Sequence, residues 1–225
     1  MCASYGIDGL VRPERSGSRV RFESMPPLHT EQSRSVLAGW ADAGDGRARI
    51  TGRLARNLNP LIFAPRGERE LALGWWWLHV GARPAEYSAF NSRDDRLLAS
   101  WHEPFQRRAL LPATWYVEKG RTFGLPGGEL FGIAAITTTV PQAEGGALVS
   151  YSMVTRGAVA AAAEVHPRMP LILPVDFHDT WLDPGRAGDQ RLVAEAQRVS
   201  EELCARVRPL ERPEPAAAPA QPTLF

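Results

Sequence analysis

Lysine is almost missing from this chain: Lys119 is the only one among 26 basic residues, and the rest are arginine. A GC-rich genome is the plain cause of such a bias, but arginine is also the better fork for phosphate and stacks on bases. With 25 acidic residues the formal net charge is only +1, which leaves no global electrostatic footprint for nucleic acid. A local basic groove remains open. Cysteine is scarce as well. Cys2 and Cys204 are too few for a disulfide framework, which suits a reducing compartment. No apolar run approaches the roughly 20 residues of a membrane-spanning helix, and no basic start leads into an apolar stretch as in a signal peptide. The chain is therefore expected to be soluble and cytoplasmic, associated with the nucleoid if it works on DNA. No two histidines or cysteines sit at ligand spacing, so neither a metal nor another cofactor is expected.

What is present suffices for one ordinary domain: 225 residues, 44% of them hydrophobic. Residues 7–29 read as loop, with one short strand at Val20–Phe22. Helical spacing over Thr30–Trp40 puts Val36, Leu37 and Trp40 on one side. Strand-like segments follow at 61–63, 115–118, 131–139 and 147–155. A short helix is expected over 159–165. Arg168–Pro174 reads as a proline-bounded apolar strand at a sheet edge. Asp189–Val207 is the clearest helix, with Leu192, Ala196, Val199 and Leu203 as its apolar stripe and Cys204 as inert packing. From Pro209 the chain turns Pro/Ala-rich and cannot bury a core, so 209–225 reads as a disordered tail.

Trp75, Trp76 and Trp77 are adjacent, and alternate strand residues point to opposite faces. At least one of them is expected at a surface or in a groove, where packing is the default role and base stacking the sharper one. Glu118 places a carboxylate inside the apolar segment that starts at Trp115. It is either a strand end facing water or a site residue. Asn91-Ser92-Arg93-Asp94-Asp95 is a polar knot that on its own reads as a turn.

Cys2 becomes the first residue once Met1 is removed. Its α-amine and thiol then form a 1,2-aminothiol. The amine adds to an aldehyde and the thiol closes onto the imine as a five-membered ring. Both groups titrate near neutrality in free form, at roughly 7.7–8.0 and 8.5.

Taken in order, Met1-Cys2, Asn57-Leu58-Asn59-Pro60, Gly74-Trp75-Trp76-Trp77, Asn91 to Asp95, Arg107-Arg108, Pro112-Ala113, Glu118, His166-Pro167-Arg168-Met169-Pro170 and Trp181-Leu182-Asp183 resemble the SOS response-associated peptidase (SRAP) family. The resemblance spans most of residues 1–185. It departs at Ala3-Ser4, where the family has Gly-Arg, at Asp95, one methylene shorter than the family's glutamate, and around Glu118.

The resemblance implies an α+β fold with a twisted, mainly antiparallel, barrel-like β core and peripheral helices over residues 1–208. It implies capture of abasic sites in single-stranded DNA through Cys2, with autoproteolytic, peptidase-like and lyase-like chemistry attached. Cys2, Asn91, Glu118 and His166 would be catalytic. Arg93, Arg168, Trp75 and Trp76 would meet DNA. An N-terminal-cysteine amide hydrolase and a non-catalytic single-strand binder are the alternatives. The chain is expected to act as a monomer. Finally, Gln221, Leu224 and Phe225 match a sliding-clamp-binding peptide, two apolar anchors with a hydrogen-bonding rim residue, so a bacterial sliding clamp is a further expected partner.

Overall fold

The computed structural model describes residues 2–8, 10, 21–142 and 145–211. The expected clamp motif at Gln221, Leu224 and Phe225 lies outside them, as does Val20 of the expected first strand. Phe22 opens a 3₁₀ turn, not a strand.

Along the chain the elements are β1 (Ser4–Gly6), α1 (Glu31–Gly44), β2 (Arg47–Arg49), β3 (Leu58–Phe63), β4 (Glu70–Trp76), β5 (His79–Val80), β6 (Arg83–Pro84) and β7 (Asn91–Arg93). Then come α2 (Leu97–Phe105), β8 (Arg108–Ala113), β9 (Trp115–Glu118), β10 (Arg121–Gly124), β11 (Phe131–Pro141) and β12 (Ala147–Gly157). The chain continues through α3 (Ala160–Ala163), β13 (Arg168–Pro170), β14 (Ile172–Leu173), α4 (His178–Leu182), α5 (Gln190–Ala205) and β15 (Arg208–Pro209).

Five strands close a barrel. β12 pairs β4, β4 pairs β3, β3 pairs β8, β8 pairs β11, and β11 returns to β12. All of these pairs are antiparallel except β4 with β12, so the barrel is mixed. Gly74 allows the tight interior, since a Cβ there would stand 2.2 Å from Leu61 Cδ2. A second, antiparallel sheet runs β15-β10-β9-β1-β2. The chain passes from barrel to second sheet at Thr114, whose N–H donates to Gly6 O at 2.8 Å. Lys119 and Gly120 both have positive φ, 50° and 76°, which is the two-residue hairpin geometry that joins β9 to β10.

The helices follow from their caps and stripes. Thr30 caps α1 by accepting from Ser33 N, and Leu37, Trp40 and Ala41 form its buried side. Asp189 caps α5 through Leu192 N, and Leu192, Val193, Ala196 and Cys204 are buried along it. α5 packs on β14.

Two expectations change. Residues 168–174 are not an edge strand. β11 and β12 splay apart, and the segment wedges between them, β13 on β12 and β14 on β11. At the changeover, Leu171 N donates to Val154 O and Leu171 O accepts from Ala134 N, both at 2.9 Å. The prolines are tolerated because the hydrogen bonds fall on their neighbours. At the other end, Arg208 and Pro209 pair with β10, and Leu210 N donates to Thr122 O at 2.8 Å, so the ordered chain runs past residue 208.

Candidate active site at the barrel rim

The C-terminal half of β12 organises the site. β7 lies along one edge in parallel register, with Asn91 opposite Met153 and Arg93 opposite Thr155. β13 lies along the other edge, with Pro170 opposite Thr155 and Arg168 opposite Gly157. Asn91 and the His166–Pro170 signature thus converge from two sides. The third contribution comes from the second sheet. β1 pairs β9 with Ser4 opposite Val117, which brings Cys2 beside Glu118 at the base of its hairpin.

Four residues expected at the site do meet there. Asn91 Nδ2 donates to the main-chain carbonyl of Cys2 at 2.7 Å. Asn91 Oδ1 is buried and has no hydrogen-bond partner among the described residues. Glu118 is only 3% exposed, so its carboxylate is withdrawn from water. His166 Nδ1 stands 3.9 Å from Glu118 Oε1, and it also accepts from Arg168 N at 3.1 Å. Cys2 is 1% exposed, and its thiol donates to Ser4 O at 3.3 Å. Burial pushes this thiol up to about 12, with the neighbouring Glu118 charge adding in the same direction.

The remaining predicted residues are placed differently from one another. Arg93 is exposed and forms a two-pronged pair with Asp95, Nε to Oδ1 at 2.9 Å and Nη2 to Oδ2 at 2.6 Å. The pairing lowers the Asp95 carboxyl below its usual range. Arg168 points inward to Asp94, Nη2 to Oδ1 at 2.6 Å, and also bonds the Thr155 carbonyl. Trp76 is 1% exposed inside the barrel and donates Nε1–H to Phe90 O at 2.8 Å, so it offers no face to a base. Trp75 points to the other side of β4, is half-buried, and packs edge-on against His79 with ring centroids 4.7 Å apart. Alternation thus holds along β4, with Trp76 filling the barrel and Trp75 half-buried on its outer side.

Sequence reasoning missed several polar partners. Asp94 is buried and also accepts from Gln197 Nε2 of α5 at 2.6 Å. Tyr5 and Tyr151 share a buried hydroxyl contact of 2.6 Å beneath Cys2, and burial raises both phenols far above their ordinary range. Arg108, one of the expected arginine pair, is a buried cation whose guanidinium donates to the carbonyls of Phe105, Trp181, Asp183 and Arg186. Burial lowers it to about 10. Among the described residues no three His, Cys, Asp or Glu side chains gather to hold a metal ion.

The model of the SRAP family, SOS response associated peptidase, matches residues 54–210. The chain belongs to the SRAP family. The matched span carries Asn91, Glu118, His166 and Arg168, and Cys2 joins them from outside it through β1. Membership places this SRAP chain among proteins associated with the SOS response to DNA damage. Among solved structures, a protein from Bordetella bronchiseptica is similar at 20% identity, covering 84% of this chain and 92% of its own, with a TM-score of 0.57. A phage-related protein from the same organism is similar at 17% identity, covering 73% and 85%, with a TM-score of 0.51. A Bacteroides thetaiotaomicron protein is similar at 20% identity, covering 62% and 67%, with a TM-score of 0.50. At such identities the likeness speaks for the fold. No curated protein matches the chain. No helix of the described residues is long and apolar enough to cross a membrane.

Proposed function

We propose that this SRAP protein binds single-stranded DNA and captures abasic sites through Cys2 after Met1 is removed. The single observation that carries the reading is the grip of Asn91 on the Cys2 carbonyl, 2.7 Å, with Asn91 Oδ1 left as a buried acceptor that has no partner among the described residues. An amide so placed aims the amine by accepting one of its protons. The ring-opened abasic sugar supplies an aldehyde at C1′. The amine adds to that carbon, water leaves, and an imine forms. The thiol then adds across the C=N bond, its proton passes to the nitrogen, and a thiazolidine results. The net reaction joins protein and DNA with loss of one water.

Proton management falls to Glu118 and His166. The Cys2 thiol, pushed up to about 12, is scarcely ionised at neutrality and needs a base within reach as it attacks. Glu118 is the group beside it, and His166 stands 3.9 Å from Glu118 on the other side. The exposed Arg93 is suited to a flanking phosphate, at the cost of releasing Asp95. The C-terminal segment with Gln221, Leu224 and Phe225 would tether the domain to a sliding clamp, raising its concentration near exposed template strands.

The test is a cross-linking assay on single-stranded DNA with one abasic site. Wild type should give a species that survives denaturing electrophoresis. Cys2→Ala, and a form in which Met1 is retained, should give none. A Cys2→Ala protein that cross-links as stably as wild type would refute the reading. Turnover of a small amide by Cys2 without a DNA adduct would point to the hydrolase alternative.

A further inference from the structure

A chain of hydrogen bonds runs from the outer helix to the imidazole of the site. Gln197 Nε2 on α5 donates to Asp94 Oδ2 at 2.6 Å. Asp94 Oδ1 accepts from Arg168 Nη2 at 2.6 Å and from the main chain of Asp95 at 2.9 Å. The Arg168 main-chain N–H then donates to His166 Nδ1 at 3.1 Å. Asp94 is 4% exposed, so neither solvent nor ions replace these bonds freely. It also sits three residues after Asn91, at the end of the same strand that holds Cys2.

The fixed carboxylate decides how His166 is presented. An imidazole nitrogen that accepts from a main-chain N–H keeps its lone pair there, which leaves the proton of the neutral ring on Nε2, the atom turned away from Arg168. The carbonyl of Arg168, 3.0 Å from the same Nδ1, and Glu118 favour the opposite tautomer. The main-chain position of Arg168 selects between them, and the Arg168 side chain is anchored on Asp94.

We propose that Asp94, tied to α5 by Gln197, is a positioning residue that fixes Arg168 and through its main chain sets the orientation and tautomer of His166. The role rests on the reading of Cys2 chemistry given under Proposed function. It differs from simple attachment of α5, because α5 has a second fastening that bonds neither Asp94 nor Arg168. Arg156 donates to Ser200 Oγ at 2.6 Å, to the Gln197 carbonyl at 3.1 Å, and to Glu201.

The experiment compares Asp94→Asn, Arg168→Gln, their double variant, and Arg156→Gln as a stability-matched control. Two readouts are followed: the rate of adduct formation on abasic single-stranded DNA, and the ¹⁵N resonances of the His166 imidazole. Asp94→Asn should slow the adduct by on the order of 10- to 100-fold, the penalty for a misplaced reacting group. The double variant should be no slower than the worse single one, as for two residues acting through one link. The His166 resonances should move toward the other tautomer in Asp94→Asn. Arg156→Gln should lose comparable resistance to urea yet keep both rate and resonances. If Asp94→Asn proves too unstable, Gln197→Leu should shift the same readouts by a smaller amount. Unchanged His166 resonances in Asp94→Asn, or multiplicative losses in the double variant, would overturn the role. Absence of any Cys2-dependent adduct in wild type would strike the parent reading alone, because the imidazole spectrum still reports on Asp94.

Discussion

Asn91 donates its side-chain amide to the carbonyl of Cys2 across 89 residues of sequence, at 2.7 Å. That bond joins the barrel, through β7, to the start of the second sheet. Removing it leaves one main-chain carbonyl to find water, a loss of about 1 kcal/mol in stability. The effect on chemistry should be much larger. Asn91→Ala should slow adduct formation on the order of 100-fold with a small change in the urea midpoint, measured by quenched gels beside a denaturation curve. A rate loss no larger than the stability loss would make Asn91 a structural strut.

Acid should destabilise the fold through His178. The residue is fully buried, its Nε2 donates to Leu173 O at 3.1 Å, and burial pulls it down from 6.5 to about 4. The folded state therefore holds the ring neutral while the unfolded chain takes up a proton below about 6.5. The stability is fully present above that pH and is lost as pH falls from about 6.5 toward about 4, a loss of about 3 kcal/mol in all. Urea midpoints at pH 7.5 and 5 should differ in wild type. His178→Gln should flatten that difference.

The tryptophans give a clean separation of folding from DNA contact. Trp76→Phe opens a cavity in the barrel and should cost about 2 to 4 kcal/mol, with single-strand affinity unchanged for the protein that remains folded. Trp75→Ala should cost less, because the ring is half-buried. Fluorescence-polarisation titration of single-stranded DNA against both variants checks this. A selective loss of affinity in Trp76→Phe would return that ring to the DNA surface.

The C-terminal peptide makes an independent prediction. A synthetic peptide of residues 209–225 should bind a purified bacterial sliding clamp with micromolar-class affinity, and Leu224→Ala/Phe225→Ala should abolish it. Each buried anchor contributes on the order of 1.5–3 kcal/mol before ordering costs. Equal binding by both peptides in calorimetry would end this idea without touching the active site.

The parts of the site legible in the sequence were those carried by ordered motifs. Asn91 and Glu118 each had a commonplace reading alone, as a turn and a strand end, and neither Cys2 nor His166 marks a site by itself. Only their order along the chain joined them, and the fold brings them together. Gln197 gave no signal, because a polar residue on an amphipathic helix reads as solvated surface until something is found above it. Arg168 read as a DNA contact, but the buried carboxylate of Asp94, in the turn just past β7, claims it first, and no periodicity shows such pairing. β3, β11 and β12 of the barrel were visible as strand-like segments, whereas β8, Arg108–Ala113, was not expected as a strand. The closure was not visible either, since alternation tells which face is apolar and says nothing about a ring that returns β11 to β12.

The wedge of residues 168–173 between β11 and β12 gives the His166–Pro170 signature a second job. It is a keystone set into a gap in the barrel wall, with Leu171 bonded to both sides. A substitution there can silence the protein by two unrelated routes, by spoiling proton transfer or by letting the wall spring open. Loss of activity in this stretch is therefore poor testimony about chemistry until the variant is shown to hold its barrel shut.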